Sequence, residues 1–197
     1  VEKVDLLVWS DDSLDCGRRL DVPGLRQVAV SRAARLANAT LLMGRGPELA
    51  GLVELWLDSV DVWPAIVEQV PGDAYLVTES VPQPVAGDDG MLTHLTWFPK
   101  PARLTDEEFY HGWHIVHTPS STALHPRRRG YVRDAVARTL TSDSPAVRAI
   151  VSEFFFADDY LEPARLFGGR DALQRTAQEL PLYADAADIS SCPLVKE

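Results

Sequence analysis

Strand-like and helix-like segments follow one another along this chain in nearly the same order twice, and that doubled order restricts the folds open to it. Residues 4–9 (VDLLVW) form a short β-rich run, and a polar, turn-forming stretch through Asp11, Asp12, Gly17 and Pro23 interrupts it. Residues 25–30 come next, followed by a less regular segment to Arg45. Residues 52–57 (LVELWL) alternate as a strand does, whereas 62–70 (VWPAIVEQV) carry apolar residues at helical spacing behind Asp61 as an N-cap. Residues 74–81 complete the first half as a strand. Pro82, Pro84, Gly87, Asp88, Asp89 and Gly90 then mark a linker.

The second half repeats the order more fully. Residues 92–98 read as a strand and 99–104 as a loop. Thr105 opens a helix with Glu108 three residues on, a capping-box spacing, and Pro119 with its neighbouring serines is expected to end that helix near His117. Strands at 131–139 and 149–156, a turn at 162–167, a helix at 171–180 and a closing strand at 189–195 follow. This is β-α-β-β-α-β, the split pattern of a ferredoxin-like unit. The first half matches it except that its first helix is reduced to the polar loop from Ser10 to Leu20. The expected fold class is therefore α+β: two ferredoxin-like units in tandem, forming a fused dimeric α/β barrel, the first unit lacking its first helix. The expected division is a degenerate repeat at 1–84, a linker at 85–90, and a complete repeat carrying the pocket at 91–197. A four-stranded sheet with helices on one face must bury the other, and the sister sheet is its natural partner.

Composition narrows the function. The chain has 197 residues, 46% of them hydrophobic, so a sizeable core is available. A net charge of −10 argues against nucleic acid and anionic membrane surfaces, because phosphate neutralisation needs clustered Lys and Arg. The short run Arg127-Arg128-Arg129 sits in an expected turn. No apolar run reaches the roughly 18 residues of a membrane span, and the first residues lack a signal-peptide pattern, so a cytoplasmic protein is expected. Cys16 and Cys192 stand at opposite ends of the chain and give neither a disulfide framework nor a zinc spacing.

All five histidines fall between His94 and His125, which places any proton-transfer chemistry in the second half. On the helix from Thr105, positions 109, 113, 116 and 117 share one face, so His117 lies with Phe109 and Trp113 against the sheet while His111 and His114 project elsewhere. Partial burial would hold His117 neutral and ready to accept a proton; the alternative is a core imidazole bonded to a carbonyl. His94 shares a strand face with Leu92, Thr96 and Phe98, and Thr93, Leu95 and Trp97 take the other. If the first face looks into the barrel, His94 is a second acid–base group; if the other does, Trp97 packs into the pocket. Tyr131 is either a hydrogen-bond donor to substrate or an amphipathic boundary residue. Arg133 and Asp134 fall on opposite faces, so an inward Arg133 favours an anionic substrate and an inward Asp134 could orient a histidine. His111, His114 and His117 drift around the helix by about 60° per step, so they do not chelate one ion together. His114 and His117 with His94 or His125 are an alternative metal set, although no acidic ligand stands beside them. Asp158 and Asp159 read as a solvated turn.

The segment LTWFPKPARLTDEEFYHGWHIVHTPSSTALHPRRRGYVRDAV, with Phe109, Trp113 and His117 spaced F-x-x-x-W-x-x-x-H, resembles the EthD family of the dimeric α/β barrel superfamily. The first half resembles it only in outline, through LVELWLDSVDVWPAIVEQV. The resemblance implies a small-molecule protein whose relatives include cyclases, cofactor-independent monooxygenases, isomerases, dehydratases and some haem enzymes, among which fold does not choose. The reading from sequence is acid–base chemistry, of the lyase, dehydratase, cyclase or isomerase kind, on a small hydrophobic aromatic or polyketide-like molecule. It calls for no cofactor and no metal. His117 acts as base or acid, and Tyr131 and His94 polarise or protonate the substrate. Trp97, Phe109, Trp113 and Phe154 form the wall, and Arg133 is a further binding residue. The alternatives are a cofactor-free monooxygenase on an activated phenol and a binding protein without chemistry. Expected partners are the small molecule and a second copy of the chain in a homodimer.

Overall fold

A computed structural model describes residues 1–36, 48–87 and 90–197. Most of the irregular segment up to Arg45, and Asp88 and Asp89 of the expected linker, lie outside the described residues. Eight strands are present among those described: β1 (Glu2–Val8), β2 (Leu25–Ala33), β3 (Gly51–Leu57), β4 (Asp73–Gln83), β5 (Met91–Phe98), β6 (Gly130–Thr139), β7 (Ala149–Phe156) and β8 (Ser190–Lys196). They pair antiparallel in the order β1-β3-β2-β8-β5-β7-β6-β4, and the last closes on the first.

The fold class expected from sequence is overturned by this closure. The strands make one closed eight-stranded antiparallel barrel with few helices, not two tandem ferredoxin-like α+β units. β4 and β6 come from the two halves of the chain, yet they pair from Tyr75 opposite Thr139 to Gln83 opposite Tyr131. A shorter seam joins Ser31–Ala33 of β2 to Leu194–Lys196 of β8. Closure gives each of the eight described strands a neighbour on both sides, which removes the liability of two open sheets.

The helical cover also differs from expectation. The polar stretch after β1 is a helix, α1 (Asp11–Arg18). Ser10 caps it by accepting from the Ser13 N–H at 3.2 Å, and Asp11 and Asp12 complement the dipole in its first turn. Its buried face is only Ser13, Leu14 and Gly17, too narrow to register as an apolar period. The helix expected at 62–70 is instead a short 3-10 segment, Val60–Ala65. Pro64 lies inside it and has no N–H to extend an α-helical ladder.

Strand alternation sends each β1 side chain to one of two buried places. Val4, Leu6 and Val8 face outward and join Leu14, Val53, Leu55, Leu57, Trp63 and Ile66 beneath α1 and the 3-10 segment. Leu7 faces the barrel interior with Leu52, Tyr75, Val77, Leu95, Val136, Ile150 and Leu194. There Trp9 meets Trp97 edge-on at 6.3 Å. The interior also holds Lys3, whose Nζ lies 2.9 Å from Glu54, 2.7 Å from Glu79, 3.0 Å from Asp134 and 3.6 Å from Asp5. Neither Asp5 oxygen accepts a hydrogen bond among the described residues. Burial, then the neighbouring Asp134, pushes the Asp5 carboxyl well above the usual carboxylate range.

Candidate active site

After β5 the chain enters a continuous helical run: α2 (Asp106–Tyr110), a π-helical stretch His111–His117, and α3 (Thr118–Leu124). Thr105 and Glu108 form the capping box foreseen from their spacing. Pro119 does not end the run. A proline deprives the preceding turn of one N–H and crowds the carbonyl four residues back. The wider π turn accommodates this, and the Thr118 backbone N–H and Oγ1 both donate to the Trp113 carbonyl, the hydroxyl at 2.8 Å. The widened turn also moves the buried face. Trp113 and His117 are buried, but Val116, expected on the same face, is 37% exposed. Gly112 lets the 180–182 segment lie against this turn, because a Cβ there would stand 2.3 Å from the Leu182 carbonyl oxygen.

Between this run and the outer face of β5, β6, β7 and β8 lies a cavity of about 120 Å³. Its cover is completed by the segments that follow α4 (Ala157–Tyr160), namely α5 (Pro163–Leu166), α6 (Arg170–Glu179) and the 3-10 turn Leu180–Leu182. The strand register lays out its floor. His94, Glu153 and Tyr131 stand side by side on β5, β7 and β6, and Thr96 and Val151 form the adjoining row. The walls are aromatic and aliphatic: Phe98, Trp113, Phe155, Phe167, Leu180, Tyr183 and Ile189. Phe98 is the hub, with ring centroids 5.9 Å from Trp113 and 5.8 Å from Tyr183.

Three imidazoles face this space, each held by its Nδ1. His117 Nδ1–H donates to Glu179 Oε2 at 3.0 Å, and its ring lies 4.7 Å from that of Tyr183. Ser120 Oγ donates to the same carboxylate oxygen at 2.5 Å. His125 Nδ1–H donates to the Leu166 carbonyl at 2.9 Å. His94 Nδ1 shares a hydrogen bond with the Tyr160 hydroxyl at 3.0 Å. Among the described residues, no hydrogen-bond partner meets the Nε2 of any of the three rings.

Burial sets the charge state of these groups. It lowers the pKa of His117, against the opposing pull of the Glu179 hydrogen bond, and it lowers that of His94 against the charge of Glu153. For Glu153, burial favours the acid, but His125 and Arg128, followed by His94, outweigh it and hold the carboxyl at about 2. Arg128 Nη1 donates to Glu153 Oε1 at 2.6 Å; the same guanidinium reaches Ser121 and Gln83 and stacks 4.2 Å over the Tyr131 ring. Burial, then Glu153, raises the Tyr131 hydroxyl above its ordinary value, so it is a neutral donor.

The structure therefore brings His94, His117, Tyr131 and Trp113 together at one cavity. Other residues selected from sequence lie elsewhere. Trp97 faces the barrel interior, and Phe154, between Glu153 and Phe155, faces away from the cavity. Phe109 is fully buried behind the wall, 5.7 Å from Trp113. Arg133 is outside the lining and donates to Thr118 Oγ1 at 2.7 Å. Asp134 holds Lys3 inside the barrel and orients no histidine. His111 is exposed, while His114 is half-buried with an unpartnered Nε2 and is pushed down to about 4 by burial and then by Arg133.

Several site residues escaped sequence reasoning. Glu179 and Tyr183 come from the far end of the chain and Arg128 from the expected turn, while His125 stands in the sequence reading only as an alternative metal ligand. Glu153 did leave a signal: it is the one charge in the strand AIVSEFFF, and a carboxylate on a face otherwise buried needs a partner or a task. Among the described residues, the set of three metal-ligating groups with mutually close donor atoms is Asp5, Glu54 and Asp134 in the barrel interior, and the histidines contribute no such set.

No known family profile and no curated protein matches this sequence. Solved structures do match in fold. An anthrone oxidase-like protein aligns over 100% of this chain and 90% of its own, with TM-score 0.62 and 12% identity. A "putative monooxygenase" from Lactobacillus acidophilus NCFM covers 99% of this chain and 92% of its own, at TM-score 0.52 and 10% identity. Another so titled, from Fusobacterium nucleatum subsp. nucleatum ATCC 25586, covers 99% and 90%, at TM-score 0.53 and 9% identity. What the chain shares with them is the barrel fold. They give no support to EthD membership or to a lyase or isomerase. No helix among the described residues is long and apolar enough to cross a membrane.

Proposed function

We propose that the cavity binds a small, flat, mainly apolar aromatic molecule carrying an acidic C–H or O–H, that His117 removes this proton, and that the resulting anion reacts directly with molecular oxygen. The observation that carries this reading is the His117–Glu179 pair on the wall of an aromatic-lined cavity. Glu179 fixes the tautomer that leaves Nε2 as the base, and its carboxylate stabilises the imidazolium formed when the proton arrives. Burial keeps the ring neutral in the resting protein. In this reading Tyr131 and His94, on the floor, polarise or protonate a substrate oxygen. The names of the fold neighbours favour oxygen as co-reactant over a proton shift within the substrate.

Anthrone, the compound in one neighbour's name, serves as the worked case. A methylene proton passes to His117, and the carbanion gives up its electron pair to dioxygen as a C–O bond forms. Protonation of the distal oxygen by the imidazolium yields a hydroperoxide. Loss of the second methylene proton then forms the carbonyl while the O–O bond breaks and hydroxide leaves as water. One anthrone and one O₂ become one quinone and one H₂O, with no external reductant.

The test is oxygen uptake with purified protein and anthrone. The expected result is one O₂ consumed per quinone formed, with H117A slower by at least about 10²-fold, the usual contribution of a positioned base. Near-normal turnover in H117A overturns the assignment. Tight binding with unchanged anthrone recovered makes the protein a carrier.

A further inference from the structure

Glu153 takes no part in the proton transfer just described, yet it stands at the centre of the cavity floor. It is flanked across the strands by His94 and Tyr131, and Arg128 anchors it from one side only. Oε1 receives the Arg128 guanidinium, whereas Oε2 accepts no hydrogen bond among the described residues. The side chain is 15% exposed, toward a cavity, while that of Arg128 is 1% exposed. The guanidinium is itself fixed by Ser121 at 3.3 and 3.2 Å and by Gln83 at 3.1 Å, so the carboxylate cannot swing away without stranding a buried cation.

A rigid, ionised acceptor in an apolar cavity costs stability unless something meets its free oxygen. We infer that Glu153 is the specificity-determining residue of this site: its free carboxylate oxygen accepts a hydrogen bond from a hydroxyl or N–H on the ring system of the ligand and thereby sets which edge faces His117. Arg128 is the positioning residue that keeps this acceptor in place. The inference rests on the cavity being the ligand site proposed above, but not on its reacting with oxygen. The other charged and titratable groups around Glu153 are compatible with an acceptor pole. Burial lowers the pKa of His94, Tyr131 is a neutral phenol, and Arg128 balances the carboxylate. The His125 ring, held at Nδ1 by the Leu166 carbonyl, faces the same cavity without an ion pair or hydrogen bond to Glu153 among the described residues. A ligand donor is therefore welcome, and a ligand carboxylate at that end is not.

The experiment compares binding of 2-naphthol and 2-methoxynaphthalene, which differ by one donor and neither of which needs to turn over. Binding is read by quenching of tryptophan fluorescence and by calorimetry. The intact protein is expected to prefer the naphthol by about 10-fold or more, the factor expected of one hydrogen bond to a charged group. E153Q is expected to erase that preference while binding the methyl ether within about 3-fold of the intact protein, so the ether reports that the variant is folded. E153D, with a shorter reach, is expected to fall between. Equal loss of both ligands in a folded E153Q, an undiminished preference in that variant, or no preference or no naphthol binding in the intact protein overturns the inference. A preference without oxygen uptake leaves it standing and removes only the oxidation chemistry.

Discussion

The two halves of the barrel present the same strand order to their helical covers, yet one cover is sealed and the other encloses a cavity. Over the first half, α1 and a 3-10 segment lie directly on Val4, Leu6, Val53, Leu55 and Leu57, all fully buried and all aliphatic. Gly17 of α1 approaches so closely that a Cβ would stand 2.8 Å from a Val53 methyl. Over the second half, α2, the π turn and α3 are joined by α6, and the corresponding sheet face carries His94, Glu153 and Tyr131 amid aromatic rings. Rings and long helices stand further off a sheet than valines and a short helix do. Closure of the barrel and construction of a cavity are thus separate tasks here: the first half packs its cover directly on the sheet, and the second leaves the space that the proposed function assigns to a ligand.

Placing the same bulky residue in corresponding strands breaks this comparison most sharply. Val151→Phe, on the cavity floor of β7, should fill the space a ligand needs and weaken anthrone binding by at least about 10²-fold with little change in melting temperature. Val53→Phe, in β3, has no space to enter and should destabilise the fold by about 1–3 kcal/mol or more, as overpacking does. If both act alike, the first cover is not sealed. The reverse pair is gentler. Val53→Ala should cost about 2 kcal/mol in urea unfolding and leave ligand affinity unchanged, and Val151→Ala should cost less because its site already borders a void.

A smaller effect distinguishes the regions by pH. His94, His114 and His117 have pKa values lowered by burial, and all three belong to the second half. The unfolded chain therefore takes up more protons than the folded one below the ordinary histidine value of about 6.5, so stability should fall as pH drops through that region. Turnover should hold to a pH below 6.5 before declining as His117 is protonated. The barrel interior behaves oppositely. The Asp5 carboxyl is raised, so its contribution is present at acid pH and lost as pH climbs through its folded value. D5N should flatten the decline in stability that this group causes as pH rises above the ordinary carboxylate value of about 3.9, measured by thermal melts from about pH 4 upward.

Much of the local structure was legible in the residues. Period-two alternation located the strands, and Thr105 with Glu108 located the start of α2. Pairings between distant strands were not legible: β4 lies beside β6 through backbone bonds from Tyr75 to Gln83 that no local pattern encodes. α1 escaped because a helix burying only Ser13, Leu14 and Gly17 looks polar. Pro119 misled because a π turn and the Thr118 hydroxyl absorb a proline that an ordinary helix would not. The clustering of histidines pointed to the half in which the aromatic-lined cavity lies. Only the strand register revealed that the face bearing His94 looks toward the helices and the face bearing Trp97 toward the barrel interior. Glu153 was visible as a lone charge in an aromatic strand, but its task depends on Arg128 and His94, which only the fold brings beside it.

The central claim is that His117 is a base acting on a ligand in the second-half cavity. Exchange of the anthrone methylene protons for deuterium in anaerobic D₂O tests it directly, because without oxygen the carbanion can only be reprotonated. Exchange well above the buffer rate is expected with the intact protein, and a fall to near that rate in H117A while anthrone still binds. Exchange that persists undiminished in H117A, or that never exceeds the buffer rate in the intact protein, contradicts it.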